Sequence, residues 1–181
     1  ETKNFEHIPV TINTSQMGWN KEGHCFLIGN DCIIPTSELA PEEYIDPYEN
    51  HVSKPYRFRA VDTGEQQLVE SFRAKGTYEQ WVEGINTIFD FPVVLFTFYT
   101  SLAAPFLKIF ECKNFSYEIS SPTSTGKTFA LEIAASCWGA PRENSGGFFR
   151  TWRNTSTAIE RILQSVNGIP IIFDDTKNAP G

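Results

Sequence analysis

At 181 residues, 40% of them apolar, the chain can bury one substantial domain, or one domain with an attached subdomain. Its formal net charge of -7 excludes a broadly basic surface that would hold nucleic acid by bulk electrostatics, so any such contact is local or lies outside this chain. The cysteines, Cys25, Cys32, Cys112 and Cys137, show neither paired C-x-x-C spacing nor the density of a disulfide-stapled secreted domain, and reduced thiols in the cytoplasm are the expectation.

The chain begins at Glu1 with no initiator methionine, basic stretch or signal-type apolar core, and reads as a fragment of a longer protein. From about residue 5 to 73 come short β-prone pieces: Ile8 to Ile12, Cys25 to Ile28, Cys32 to Ile34 and Tyr56 to Ala60. Gly29-Asn30-Asp31 between two of them is a hairpin signal. His24, Cys25 and Cys32 lack a fourth ligand at zinc spacing, so a half-buried strand pair is the plainer reading. The Pro- and Glu-rich stretch from Pro35 to Pro55 reads as a surface loop. Residues 1–75 thus form a β-rich N-terminal module.

At Thr77 the pattern turns helical: Thr77 caps a helix in which Trp81, Ile85 and Ile88 recur at helical spacing, and Phe89-Asp90-Phe91-Pro92 breaks it. The apolar run from Phe91 to Phe110 has the length of a membrane span. Pro92, Pro105 and the polar Thr97, Thr100, Ser101 and Lys108 within it favour a buried helix or helix pair, with no membrane involved. Residues 76–112 are read as a two-helix lead-in.

Residues 113–181 carry the chemistry. Phe115 to Ile119 reads as a strand, followed by Ser120-Ser121-Pro122-Thr123-Ser124-Thr125-Gly126-Lys127-Thr128 and the apolar helix from Phe129 to Ala135. Strand, loop and helix in this order read as a nucleotide-phosphate loop: the loop from Ser121 to Thr128 wraps phosphates with its available backbone N–H groups, Lys127 reaches the outer ones, and the Thr128 hydroxyl ligates Mg²⁺. The usual pattern puts glycine where this chain has Ser121, which has less backbone freedom.

Phe148 to Trp152 reads as a further strand, Thr155 or Ser156 caps a helix containing Ile159, Ile162, Leu163 and Val166, and Asn167-Gly168 stops it. The last element, Ile169 to Asp175, is an apolar strand ending in two carboxylates. Alternating strands and helices of this kind predict a parallel α/β sheet, whose ligands gather at the carboxyl ends of the strands. There Asp174 holds Mg²⁺, directly or through water, and Asp175 polarises the attacking water. The strand between the loop and the acids suits the branch of phosphate-loop ATPases with an inserted strand, by fold analogy.

Gly18-Trp19, Ser101 to Pro105, Ser124 to Thr128, Ala134 to Gly139, Thr151 to Thr155 with Ile159-Glu160, and Phe173-Asp174-Asp175 occur in an order that resembles one family. It is the "domain of unknown function" ATPase family of phages and mobile genetic elements, itself similar to the replicative helicases of staphylococcal chromosome cassettes. The resemblance runs from about residue 15 to the end. It implies a P-loop NTPase (AAA+-like) parallel sheet, truncated after the acid-bearing strand, in a motor that couples ATP hydrolysis to movement along DNA, with a homo-oligomeric ring in the full-length protein and DNA held through regions outside this chain. By the same resemblance Lys127 and Thr128 bind phosphate and Mg²⁺, Asp174 is the metal-side acid, and Asp175 stands where glutamate is usual. Trp152 and Glu160 match family positions, with packing and a solvated helix face as their plainer readings.

In AAA+-type sheets the loop strand sits between strands that come later in sequence. An unpaired loop strand would expose edge N–H and C=O groups, which favours association. No arginine among Arg142, Arg150, Arg153 and Arg161 is singled out by sequence as a transition-state finger. Two other readings are a small-molecule kinase, for which no arginine-rich lid is visible, and a non-hydrolytic nucleotide-binding assembly module, suggested by Ser121 and the short Asp175.

Overall fold

The computed structural model describes residues 11–21, 23, 25–34, 56–122, 125–141, 149–152 and 155–174. Among them are five helices and eight short strands in three small sheets, a mixed α/β architecture. Strands β3 (Phe26–Ile28) and β4 (Asp31–Ile33) form a hairpin with Phe26 opposite Ile33. Its two-residue turn needs left-handed backbone, which Gly29 supplies at φ 56°. Strand β2 (Met17–Trp19) lies antiparallel to β3 and, on its other edge, parallel to β7 (Val166–Asn167). Strand β1 (Ile12–Thr14) runs parallel to β5 (Tyr56–Phe58), and β6 (Arg150–Thr151) runs parallel to β8 (Phe173–Asp174), with Arg150 opposite Phe173.

Of the parallel sheet expected from the sequence, the described residues show short parallel pairs only. Three pairings are parallel and two antiparallel, and the largest sheet, ordered β4-β3-β2-β7, is mixed because a hairpin can only pair antiparallel.

Helix α1 (Thr63–Ser71) lies in a stretch read above as strands and turns. Its start is set by reciprocal bonds: Glu65 N–H donates to Asp62 Oδ1 at 2.9 Å, and Val61 N–H donates to Glu65 Oε2 at 2.8 Å. Helix α2 (Tyr78–Asn86) begins on Thr77 with a full capping box closed by Gln80.

Helix α3 (Pro92–Ile109) is one continuous helix rather than a pair, with Pro105 inside it. Pro105 cannot donate to the carbonyl four residues back, but its own carbonyl accepts the Trp19 indole N–H at 2.8 Å, tying the helix to β2. The expectation of burial holds for one face only. Thr97, Phe98 and Ser101 are buried, whereas Phe96 is 57% and Phe106 50% exposed. By length and composition α3 is apolar enough to cross a membrane.

Residues 112–120, expected to contain a strand from Phe115 to Ile119, form none. Among the described residues no strand pairs with this segment, and a strand is defined by its ladder. It runs back along α3, where the Tyr117 ring meets Phe96 at 5.1 Å.

The main core joins Met17, Phe26 and Leu27 of the mixed sheet to Leu68 and Val69 of α1, to Ala134 and Ala135 of helix α4 (Lys127–Ala135), and to Phe149, Ile169 and Ile172 around β6 and β8. A second cluster, Ile85, Ile88 and Phe98, seats α2 on α3. Residues from both ends of the sequence thus share one core, with α4 between them.

Candidate phosphate-binding site

Helix α4, like α3, begins without a side-chain cap, unlike α1, α2 and the last helix. Asp62, Thr77 and Thr155 each cap their helices by accepting a first-turn N–H, the last serving helix α5 (Ser156–Gln164). The N-cap of α4 is Gly126, at φ 85°, with no side-chain cap. The first-turn N–H groups have no carbonyl to meet within the helix, and among the described residues no side chain takes them. They form a positive helix end open to an anionic ligand.

Lys127 stands at this end. Its ammonium donates to the Ser121 carbonyl at 2.7 Å and to the Pro122 carbonyl at 2.8 Å, drawing the loop into a ring around it. Lysine has three donors, and the described residues engage two of them. Thr125 Oγ1 donates to the same Pro122 carbonyl at 2.9 Å, and the Ser121 and Thr125 hydroxyls are bonded to each other.

The acid-bearing strand meets the loop. Thr128 Oγ1 donates to Asp174 Oδ2 at 3.0 Å, although the two residues lie 46 apart in sequence. Asp174 ends β8, whose parallel pairing with β6 sets its position. A hydroxyl and a carboxylate oxygen this close offer two hard oxygen ligands on one side of a cation.

A buried polar network fixes α4. Ser101 Oγ donates to the Ala134 carbonyl at 2.9 Å and accepts the Trp138 indole N–H at 2.8 Å, so one hydroxyl of α3 holds the far end of α4. Beyond that end, Ala140 N–H donates to the Ser71 carbonyl at 3.0 Å, linking the chain to α1. In the sequence Ser101 stands out only as a polar residue in an apolar run and Trp138 only as part of a family motif, and neither is assigned this contact. A serine amid an apolar helix and a tryptophan just past the next helix were the available signal.

Of the residues expected to form the site, Ser121, Pro122, Thr125, Gly126, Lys127, Thr128 and Asp174 come together here. Thr123, Ser124 and Asp175 lie outside the described residues. Of the arginines weighed as fingers, Arg150 is buried within β6, Arg161 forms an exposed pair with Asp62 at 3.3 Å, and Arg142 and Arg153 lie outside the described residues. Trp152 stacks on Phe173 with ring centroids 4.4 Å apart, next to Asp174 in sequence, and Glu160 is exposed on α5.

Among the described residues no group of three or more His, Cys, Asp or Glu side chains is placed to hold a metal. A magnesium site of one carboxylate, one hydroxyl and substrate phosphates needs no such group. The uncapped helix end, the Lys127 ammonium and the Thr128–Asp174 pair suit a magnesium–polyphosphate.

A family model described as a domain of unknown function, DUF927, matches residues 3–181. No curated protein matches the chain.

Proposed function

We propose, for a chain that belongs to the DUF927 family, that the loop from Ser121 to Thr128 and Asp174 bind ATP with Mg²⁺. The 3.0 Å contact between Thr128 and Asp174 carries this reading, because it joins the two halves of a phosphate-and-metal site from distant parts of the sequence. In this reading the fold is a P-loop NTPase of AAA+-like type, with the β6–β8 pair as part of its parallel sheet.

Lys127 neutralises the outer phosphates, and the first-turn amides of α4 take the inner ones. Thr128 and Asp174 hold Mg²⁺, which would draw charge from the phosphates during transfer. Asp175 orients the attacking water, at shorter reach than a glutamate. The work done with this energy is that of a DNA helicase or replication protein of a phage or mobile element, in the cytoplasm, with DNA contacts and a homo-oligomeric ring supplied by the full-length protein.

Binding of a fluorescent ATP analogue with Mg²⁺, and phosphate release with and without single-stranded DNA, test the proposal. Wild type should bind. Lys127→Ala should weaken binding about tenfold or more, the scale of a lost charge-assisted bond. Asp175→Asn should keep binding and lose turnover. DNA-stimulated turnover supports the motor, acceptor-dependent turnover a kinase, and binding without turnover an assembly module. Full turnover in both variants would remove the site.

A further inference from the structure

Phosphate loops ordinarily start on glycine, and this one starts on Ser121 with Pro122 after it. The hydrogen bonds around these two residues define a directed chain. Each hydroxyl has one proton. Thr125 spends its proton on the Pro122 carbonyl at 2.9 Å, so in the bond between Thr125 and Ser121 it is Ser121 that donates. The Pro122 carbonyl also takes the Lys127 ammonium at 2.8 Å, which fills both of its lone pairs. The Ser121 carbonyl takes the same ammonium at 2.7 Å.

We infer that Ser121 and Thr125 are positioning residues for the nucleotide: their relay, Ser121 to Thr125 to the Pro122 carbonyl, presets the carbonyl pair that holds Lys127 at the mouth of the loop. This rests on the ATP-binding reading above and adds to it the parts that do the work of the absent glycine. Neither hydroxyl proton is left for a phosphate, so both residues act through Lys127 and the backbone. Pro122 fits the same scheme, having no N–H to offer a phosphate and a fixed φ that limits how its carbonyl can turn.

The test measures Kd for a fluorescent ATP analogue with Mg²⁺, and KM and kcat where turnover is present, together with the melting temperature. Ser121→Ala and Thr125→Val should each weaken binding about three- to tenfold, the scale of one net hydrogen bond, with the melting temperature unchanged because both side chains are exposed. The loss should fall on Kd and KM rather than on kcat. The double variant should lose no more than either single one, since both break one chain, and Thr125→Ser should recover binding.

Ser121→Gly separates two ideas. If the relay positions the lysine, glycine behaves like alanine; binding equal to or tighter than wild type would overturn the relay. Additive losses in the double variant would also overturn it. Wild type that binds and Lys127→Ala that does not, alongside an unaffected Ser121→Ala, would reject the relay and keep the site. A wild type that fails to bind would reject both.

Discussion

Single residues here are governed by backbone geometry and by burial. Gly126 holds φ 85° at the start of α4, and an added Cβ would meet nothing within 4 Å. Gly126→Ala therefore carries only the conformational penalty, about 1 kcal/mol, and a melting curve should fall by about 2–4 °C. Burial acts on Cys137, whose thiol is pushed up to about 12, while Cys112 is exposed. The expected outcome at pH 8 is rapid alkylation of Cys112 and labelling of Cys137 only on unfolding, read by mass spectrometry. Because folding raises the Cys137 value above the ordinary 9.0, its contribution to stability is complete below pH 9 and is lost as the pH rises towards 12. At this scale Lys127, Thr128 and Asp174 were legible in the sequence, because loop spacing and a carboxylate ending an apolar strand are local signals. The hydroxyl relay was not, since serine in place of glycine is silent about where its proton goes.

Elements were legible where their caps are spelled in the sequence. Thr77 marked α2, Thr155 or Ser156 marked α5, and Asp62 with Glu65 carried the same kind of signal for α1, masked by the β-prone pieces on its N-terminal side. These caps give a pH dependence. The Glu65 backbone N–H, with help from Gly64 and Arg161, holds the Asp62 carboxyl below its usual range, and Glu79 is held low by its own backbone N–H and the Thr77 hydroxyl. A carboxylate lowered by folding stabilises above its unfolded value and loses that contribution as pH falls, so amide protection factors at the starts of α1 and α2, corrected for the intrinsic rate, should drop below about pH 4. What no cap could reveal is how α3 and α4 dock. Ser101 alone satisfies both the Ala134 carbonyl and the Trp138 indole, and it is only 5% exposed. Ser101→Ala strands the indole donor, and chemical denaturation should show a loss of about 1–3 kcal/mol.

For the whole molecule, the decisive contact is the one that local periodicity could not contain. The β-rich beginning and the apolar end of the chain were each recognisable, yet nothing in a window of residues says that β2 will pair with β7, with Gly18 opposite Asn167. That pairing puts strands from the two ends of the sequence in one sheet, and the neighbouring Gly168 packs against the Trp19 ring. It also explains why residue 18 is glycine: φ is 89°, and a Cβ there would lie 1.7 Å from the Asn167 carbonyl oxygen. Gly18→Ala must therefore separate β2 from β7. Denaturation should show a loss of about 3 kcal/mol or more, the range of combined backbone strain and broken packing. Gly84 is the control, because it sits in α2 with no atom within 4 Å of an added Cβ, so Gly84→Ala should stabilise by about 0.5–1 kcal/mol. If β2 and β7 act as one frame for the site, Gly18→Ala should also weaken nucleotide binding at temperatures where the variant is still folded, and Gly84→Ala should leave it unchanged. Equal binding in both variants, measured below their melting ranges, would show that α4 and β8 keep their contact without that frame.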